Sequence, residues 1–322
     1  MRMAALALAA TAAAVFLACA GCLTPLRSQQ PLTPVPAQAG PLVGVYEPGA
    51  PGSWSGVAGF TGATGVAPGI VVYYSPWDNP FAASFAQTAW GHGAYVLVQL
   101  EPAGVTLASV AAGGSDAYLR SYAGAVAAFG HPVILSFGHE MNGTWYSWGY
   151  GRTSPATFVA AWRHVVQVFR AEGAANVTWL WAVNSVNGAS SALRQWWPGA
   201  AWVDWTGVDG YYFRPADTFQ SVFGQTIAGI RAISGAPLLI AETAVGTTAN
   251  RESQIGALFA GARAQRLAGL VWFDEAQHAG IYHQDWRLEN DADACAAFTT
   301  AAAAYLQAPP AQALPPSTGV RR

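Results

Sequence analysis

Two stretches of this 322-residue chain carry a glutamate at the end of an apolar run. Pro132-Val133-Ile134-Leu135-Ser136-Phe137 leads to Glu140, and Pro237-Leu238-Leu239-Ile240-Ala241 leads to Glu242. Only 10% of the residues are charged, and a carboxylate beside such a run sits where loss of water is expensive. Acid–base or nucleophilic chemistry is a reason to keep it there, so the pair points to hydrolysis by two carboxyl groups. A structural ion pair or a cap is the alternative for either glutamate taken alone.

To act together the two must be carried by elements that converge. Short apolar or β-branched runs alternate with longer helical patterns, the signature of repeated βα units around a parallel sheet. Eight strands are expected, over Leu42–Glu47, Ile70–Ser75, Tyr95–Leu100, Pro132–Phe137, Val177–Ala182, Trp205–Val208, Pro237–Ala241 and Gly269–Phe273. Their even spacing fits an α/β fold of the (β/α)8 TIM barrel type, a single catalytic domain in which Glu140 and Glu242 fall past strands four and seven, at one mouth. Ser154 followed by Pro155 starts a helix that Gly173 ends, with Phe158, Ala161, Trp162, Val165, Val168 and Phe169 at helical spacing. Asp217 to Ile233, Arg251 to Arg266 and Ala292 to Leu306 repeat that pattern. A doubly wound open sheet is the alternative, but no Gly-rich phosphate loop follows the first strand.

Composition narrows the partner. The formal net charge is -2 and no basic run exists, which leaves little for capture of nucleic acid or an anionic membrane. A neutral ligand suits the chain better, and its 14 Trp, 12 Tyr and 14 Phe supply flat faces for stacking on sugar rings or, equally, for a core. His131 and His164, the histidines nearest His139, lack ligand spacing and a cysteine partner, so neither metal nor cofactor is expected.

Residues 1–22 read as an export signal, charged only at Arg2 and ending in Ala20-Gly21-Cys22, which looks like a bacterial lipobox although Cys19 stands where leucine is usual. Cys22 would then carry the lipid, membrane contact being through that anchor alone, and the protein would be periplasmic, at the cell surface or secreted. An uncleaved membrane anchor is the alternative. Cys295 is then left unpaired, so no structural disulfide is expected. Residues 23–41 are a proline-rich linker that packs no core, 42–307 the barrel, and 308–322 a second proline-rich tail.

The run His139-Glu140-Met141-Asn142-Gly143-Thr144-Trp145-Tyr146-Ser147-Trp148-Gly149 resembles the acid/base signature of glycoside hydrolase family 26, which includes β-mannanases. Val203 to Tyr211, Ile240-Ala241-Glu242 and Trp272-Phe273-Asp274 are similar to family motifs in the same order, and the likeness is strongest from Pro132 onward. It implies Glu140 as general acid/base and Glu242 as the nucleophile of a covalent glycosyl-enzyme. Glu140 must then hold a proton while Glu242 is ionised, and Tyr211 matches the tyrosine that hydrogen-bonds the nucleophile, its other role being a core ring. Two carboxyls ~5–5.5 Å apart retain anomeric configuration, whereas ~6.5–9.5 Å leaves room for an attacking water and inversion.

The same resemblance makes His139 a ligand of a sugar hydroxyl or an orienter of a carboxylate. Trp145 and Trp148 become sugar platforms, with core packing the rival for Trp148, and Trp272 the floor of the subsite under attack. Asp209 braces the site, Asp204 braces it or caps at the barrel rim, and Asn142 touches substrate or holds a turn. By sequence position His278 and His283 belong to the loop after strand eight and are expected to do no more than line its rim. Glu47, Trp77, Asp78 and Glu101 lie near strand ends and could bind sugar or be structural. The implied activity is endo-hydrolysis of a polysaccharide by a monomer, with β-1,4-mannan the first substrate. A mixed-linkage β-glucan is the alternative, because Phe273-Asp274 stands where some family mannanases have a basic residue after the tryptophan. Asp285-Trp286-Arg287 resembles the glucan-active or uncharacterised branches at least as well. A carbohydrate-binding lipoprotein without turnover is the rival from another class, and the presence of both glutamates argues against it.

Overall fold

The computed structural model describes residues 31–36, 40–188, 190–276 and 284–307. Eight parallel strands, β1 (Leu42–Tyr46), β2 (Ile70–Pro76), β3 (Tyr95–Glu101), β4 (Val133–Phe137), β5 (Val177–Asn184), β6 (Trp205–Asp209), β7 (Leu238–Thr243) and β8 (Gly269–Phe273), close into a barrel in chain order. Leu42 to Tyr46 pairs with Gly269 to Phe273, and this closing seam excludes the open doubly wound sheet. The expected (β/α)8 architecture is therefore the fold. Cys22, the export signal, most of the linker, the tail, His278 and His283 lie outside the described residues.

The strands form because their apolar runs are buried on both faces. Ile70, Val72, Leu97, Ile134, Leu180, Trp205, Leu239 and Val271 fill the barrel interior, while the intervening Val71, Tyr73, Val96, Val98, Val133, Leu135 and Leu270 pack against helices. This period of two decides what reaches the mouth. Continued upward it aims Tyr74, Gln99, Asn184, Asp209 and Phe273 inward, and Trp272 outward.

The helices are α1 (Ser55–Thr64), α2 (Ala83–Gly91), α3 (Leu107–Ala111), α4 (Asp116–Phe129), α5 (Pro155–Ala171), α6 (Gln225–Arg231), α7 (Arg251–Ala264) and α8 (Ala292–Leu306). α5 starts as its sequence dictates: the Ser154 hydroxyl accepts from the Thr157 N–H and Pro155 takes the first turn. The single helix expected over Asp217–Ile233 is instead a π-type turn, Gln220–Gly224, that runs into α6. Its wider turn seats Phe223 against Gly210, and Asp217 stays outside, accepting from the N–H groups of Phe213 and Arg214. A 3-10 turn, Leu193–Trp196, stands between β5 and β6.

Linker residue Val35 corrects the expectation that 23–41 packs no core. Its side chain is buried with Ile70, Leu97, Ile134 and Trp205 at the amino-terminal floor of the barrel, and its N–H donates to the Thr178 hydroxyl at 2.8 Å. Proline-rich chain does not build a core of its own, but one valine held extended between prolines can fill an opening that the strands leave.

Candidate active site

The loop after β4 delivers Glu140 at the carboxyl end of the barrel. Glu140 takes a left-handed φ of 53°, unfavourable for a residue with a Cβ and retained only where surroundings impose it. They do so through its N–H, which donates to the Ala182 carbonyl on β5, and through the loop beyond, where the Trp148 indole donates to the His139 carbonyl at 2.8 Å and the Tyr150 N–H to the carbonyls of Met141 and Gly143. Gly143 must lack a side chain because the Trp145 ring lies directly over its α-carbon. That ring placement lets the Trp145 indole N–H donate to Glu140 Oε2 at 2.7 Å, while Asn184 Nδ2 donates to Oε1 at 2.6 Å.

Glu242 needs a different device. Simple alternation along β7 puts Leu239 and Ala241 inside, which would turn Glu242 outward. An irregularity in the pairing with both neighbours, between Val208 and Asp209 on β6 and between Ile240 and Thr243 on β7, breaks the period and brings Glu242 opposite Asp209. There the Tyr74 hydroxyl donates to Oε1 at 2.6 Å, the Tyr211 hydroxyl to Oε2 at 2.9 Å, and Gln99 Nε2 reaches Oε1 at 3.4 Å.

Asp209 is buried between the two glutamates, and one carboxyl oxygen from each of the three lies within 4.8 Å of the others. Burial raises Glu140, opposed by the donors Asn184 and Trp145. Burial and the Glu140 charge raise Glu242, opposed by Tyr74 and Tyr211. Asp209 is driven well above the usual carboxylate range by burial and by both glutamates, and neither of its oxygens accepts a side-chain bond. Three carboxyls this close cannot all ionise; Glu242, with the most donors, best supports the negative charge, and Asp209 the least. The same trio is the group among the described residues that could ligate a metal ion, although donors already occupy both glutamates.

A groove of about 560 Å³ opens over these groups, walled by Tyr74, Trp145, Tyr146, Tyr211, Phe213, Phe273 and Trp286, with Asn184, Ser185 and Asn187 as polar lining. Among the described residues no lysine, arginine or histidine is part of that wall. Of the residues singled out in the sequence, Glu140, Glu242, Trp145 and Tyr211 meet in the groove, with Asp209 behind them.

Others do not reach it. Trp272 is fully buried against Phe298 of α8, its indole donating to the Trp286 carbonyl, so the groove floor expected of it falls to its neighbour Phe273. Trp148 is a core ring stacked on Tyr146. His139 is buried behind the wall residues Tyr74 and Tyr146, its ring 5.6 Å from that of Tyr74 and sharing a 3.0 Å hydrogen bond with Tyr146, and burial lowers it to about 3, which keeps it neutral. Asn142 touches backbone instead of groove: it donates to the Asn184 carbonyl and accepts from the Asn184 N–H, so it holds the residue that holds Glu140. Asp204 precedes β6 and accepts from the Trp179 N–H at the opposite end of the barrel, where it caps a strand. Glu47, Trp77, Asp78 and Glu101 are not in the groove wall.

Tyr74, Gln99, Asn184, Phe273 and Trp286 were not singled out by their chemistry. Inward parity from the barrel interior would have found the first four. Trp286 comes from the segment beyond β8, and its position follows from Arg251, whose buried guanidinium donates to the carbonyls of Val245, Trp286 and Arg287.

An eight-stranded parallel barrel whose mouth holds two opposed carboxyls among aromatic rings is the architecture of a barrel glycoside hydrolase. Residues 118–302, more than half of the chain, match the family model described as Glycosyl hydrolase family 26, and the chain belongs to that family. Endoglucanase H of Acetivibrio thermocellus is 30% identical over 249 residues, 72% of this chain and 27% of that protein, so this chain spans about a quarter of it. A mannan endo-1,4-beta-mannosidase of Bifidobacterium adolescentis is 32% identical over 82 residues, 25% of this chain and 8% of that protein. The catalytic domain of a Bacillus sp. JAMB-750 endo-beta-1,4-mannanase superposes with a TM-score of 0.63 at 15% identity, covering 84% of this chain and 87% of that one, a likeness of fold.

Proposed function

We propose that the chain is a retaining endo-β-glycanase in which Glu140 is the general acid/base and Glu242 the nucleophile. The observation that carries this is the spacing: a Glu140 oxygen and a Glu242 oxygen lie within 4.8 Å, short of the ~6.5 Å that an intervening water requires. Glu140 gives its proton to the departing glycosidic oxygen as Glu242 attacks the anomeric carbon. Glu140 then takes a proton from water, which attacks the same carbon and releases Glu242 as a carboxylate. Asp209 remains neutral and leaves the single negative charge to Glu242.

The substrate we propose first is a β-linked glucan. A stretch that covers 72% of the chain matches an endoglucanase, and among the described residues the groove carries an apolar Phe273 and no cation. β-1,4-Mannan is the second reading, supported by the shorter stretch shared with a mannosidase. We also propose export with a lipid on Cys22, supported by the lipobox-like Ala20-Gly21-Cys22; fatty-acid labelling that persists in Cys22→Ser would contradict it.

Reducing-sugar release from barley β-glucan, lichenan, mannan, xylan and laminarin, measured side by side, tests the substrate: glucan turnover is expected, and turnover of mannan alone reverses the order. Glu242→Ala is expected to lose release by at least about 10⁴-fold while still binding the polysaccharide. Wild-type protein inert on every polysaccharide yet able to bind one would make this a binding protein.

A further inference from the structure

We propose that Tyr74 is a second hydroxyl donor to the proposed nucleophile, holding the Glu242 carboxylate ionised before attack and stabilising it as the leaving group when the glycosyl-enzyme breaks down. The proposal rests on the assignment of Glu242 above. Tyr74 ends the inward row Ile70, Val72, Tyr74 of β2, and its hydroxyl gives Glu242 the shorter of the two phenol bonds, 2.6 Å against 2.9 Å from Tyr211. Among the described residues the groove wall holds no cationic side chain, and the donors on Glu242 are neutral: two phenols, and Gln99 Nε2 at 3.4 Å. Each oxygen of Glu242 therefore depends on one close hydroxyl. Removing either leaves a buried charge short of a partner.

The groups facing Glu242 give the sign. Tyr46 from β1, Glu101 from β3, Glu140 and Tyr146 beyond β4, and Asp209 on β6 add burial or negative potential. Tyr74 and Tyr211 oppose them. Without the Tyr74 hydroxyl the carboxyl of Glu242 binds its proton more tightly, and the acid limb of the activity profile moves to higher pH. The limb belongs to the coupled glutamates jointly, but the direction is the same.

The test is Tyr74→Phe, with Tyr73→Phe as its control. Tyr73 lies one residue earlier and faces the helices, where its hydroxyl meets the Ala82 N–H. For each, kcat/KM on the cleaved polysaccharide is followed against pH, and kcat is measured on a dinitrophenyl glycoside of the same sugar, whose fast first step exposes the second. Tyr74→Phe is expected to raise the acid limb by about one pH unit and to lower kcat on the aryl glycoside by about tenfold, with the thermal midpoint near wild type. Tyr73→Phe should move neither. A fluorinated tyrosine at position 74, a stronger donor of nearly the same shape, should shift the limb downward and gives the answer if Tyr74→Phe does not fold. An acid limb unmoved in both position-74 variants, or moved equally by Tyr73→Phe, overturns the proposal. The parent assignment fails separately: Glu242→Ala with azide would then form no α-glycosyl azide.

Discussion

Glu140 and Glu242 are distinguished by which donors each collects. Glu140 has one N–H on each oxygen, from Asn184 and Trp145, and both favour its charged form against the burial that favours the neutral one. Trp145→Phe keeps the ring and deletes the indole N–H, so Glu140 should bind its proton more tightly. Because the proposed acid works only when protonated, the basic limb of kcat/KM should move to higher pH, by up to about one unit, while the optimum rate falls. A pH–rate profile checks both, and a basic limb that moves down refutes the assignment of Glu140 as acid. The motif around Glu140 displayed its residue types plainly. It did not display that His139, Asn142 and Trp148 serve the loop, because a side chain that fixes a neighbour and one that touches sugar are spelled alike.

At the scale of the element, the top of β8 and the segment after it form one unit. Asp274 Oδ1 accepts from the Trp272 indole and from the Leu288 N–H, and Arg251 pins the same segment through its carbonyls and Asp291, which keeps Trp286 at the groove. Beside Asp274 stands Glu47, from the end of β1. Burial pushes Glu47 up to about 7 and Asp274 up to about 9, the latter helped by the charges of Glu289 and Glu47. Both folded values exceed those of the unfolded chain, so these protons stabilise the fold at low pH. That contribution is present below the usual carboxylate range and is lost as pH rises through about 7 and then about 9. Asp274→Asn keeps the Oδ1 acceptor and cannot ionise; its thermal midpoint should decline less than that of wild type between pH ~5 and ~9. Parallel declines would remove these carboxyls from the account.

Across the whole molecule, the two ends of the barrel do different work. The carboxyl end is open and polar at its base; the amino end is sealed by apolar side chains that include Val35. Val35→Ala removes two methyl groups from that floor and should cost about 1–2 kcal/mol, read by urea unfolding. kcat should be unchanged, because the groove lies at the far end of the strands. A loss of activity at unchanged stability would mean that the floor and the groove are coupled.

The architecture was legible because it depends on local chemistry. Apolar runs of strand length separated by helical periods can satisfy their backbone and bury both faces in few ways, and barrel closure gathers every strand end at one rim, whatever residues stand there. The two glutamates were therefore readable as a pair, and Tyr211 with them through its motif. What only the tertiary structure decided is facing. A shift of one residue reverses a strand side chain, and that register is set by neighbouring strands far away in sequence. Hence Phe273 and not Trp272 lines the groove, Tyr74 and Asn184 complete it from β2 and β5, and Glu242 points inward because the ladder between β6, β7 and β8 slips where no single segment could have announced it.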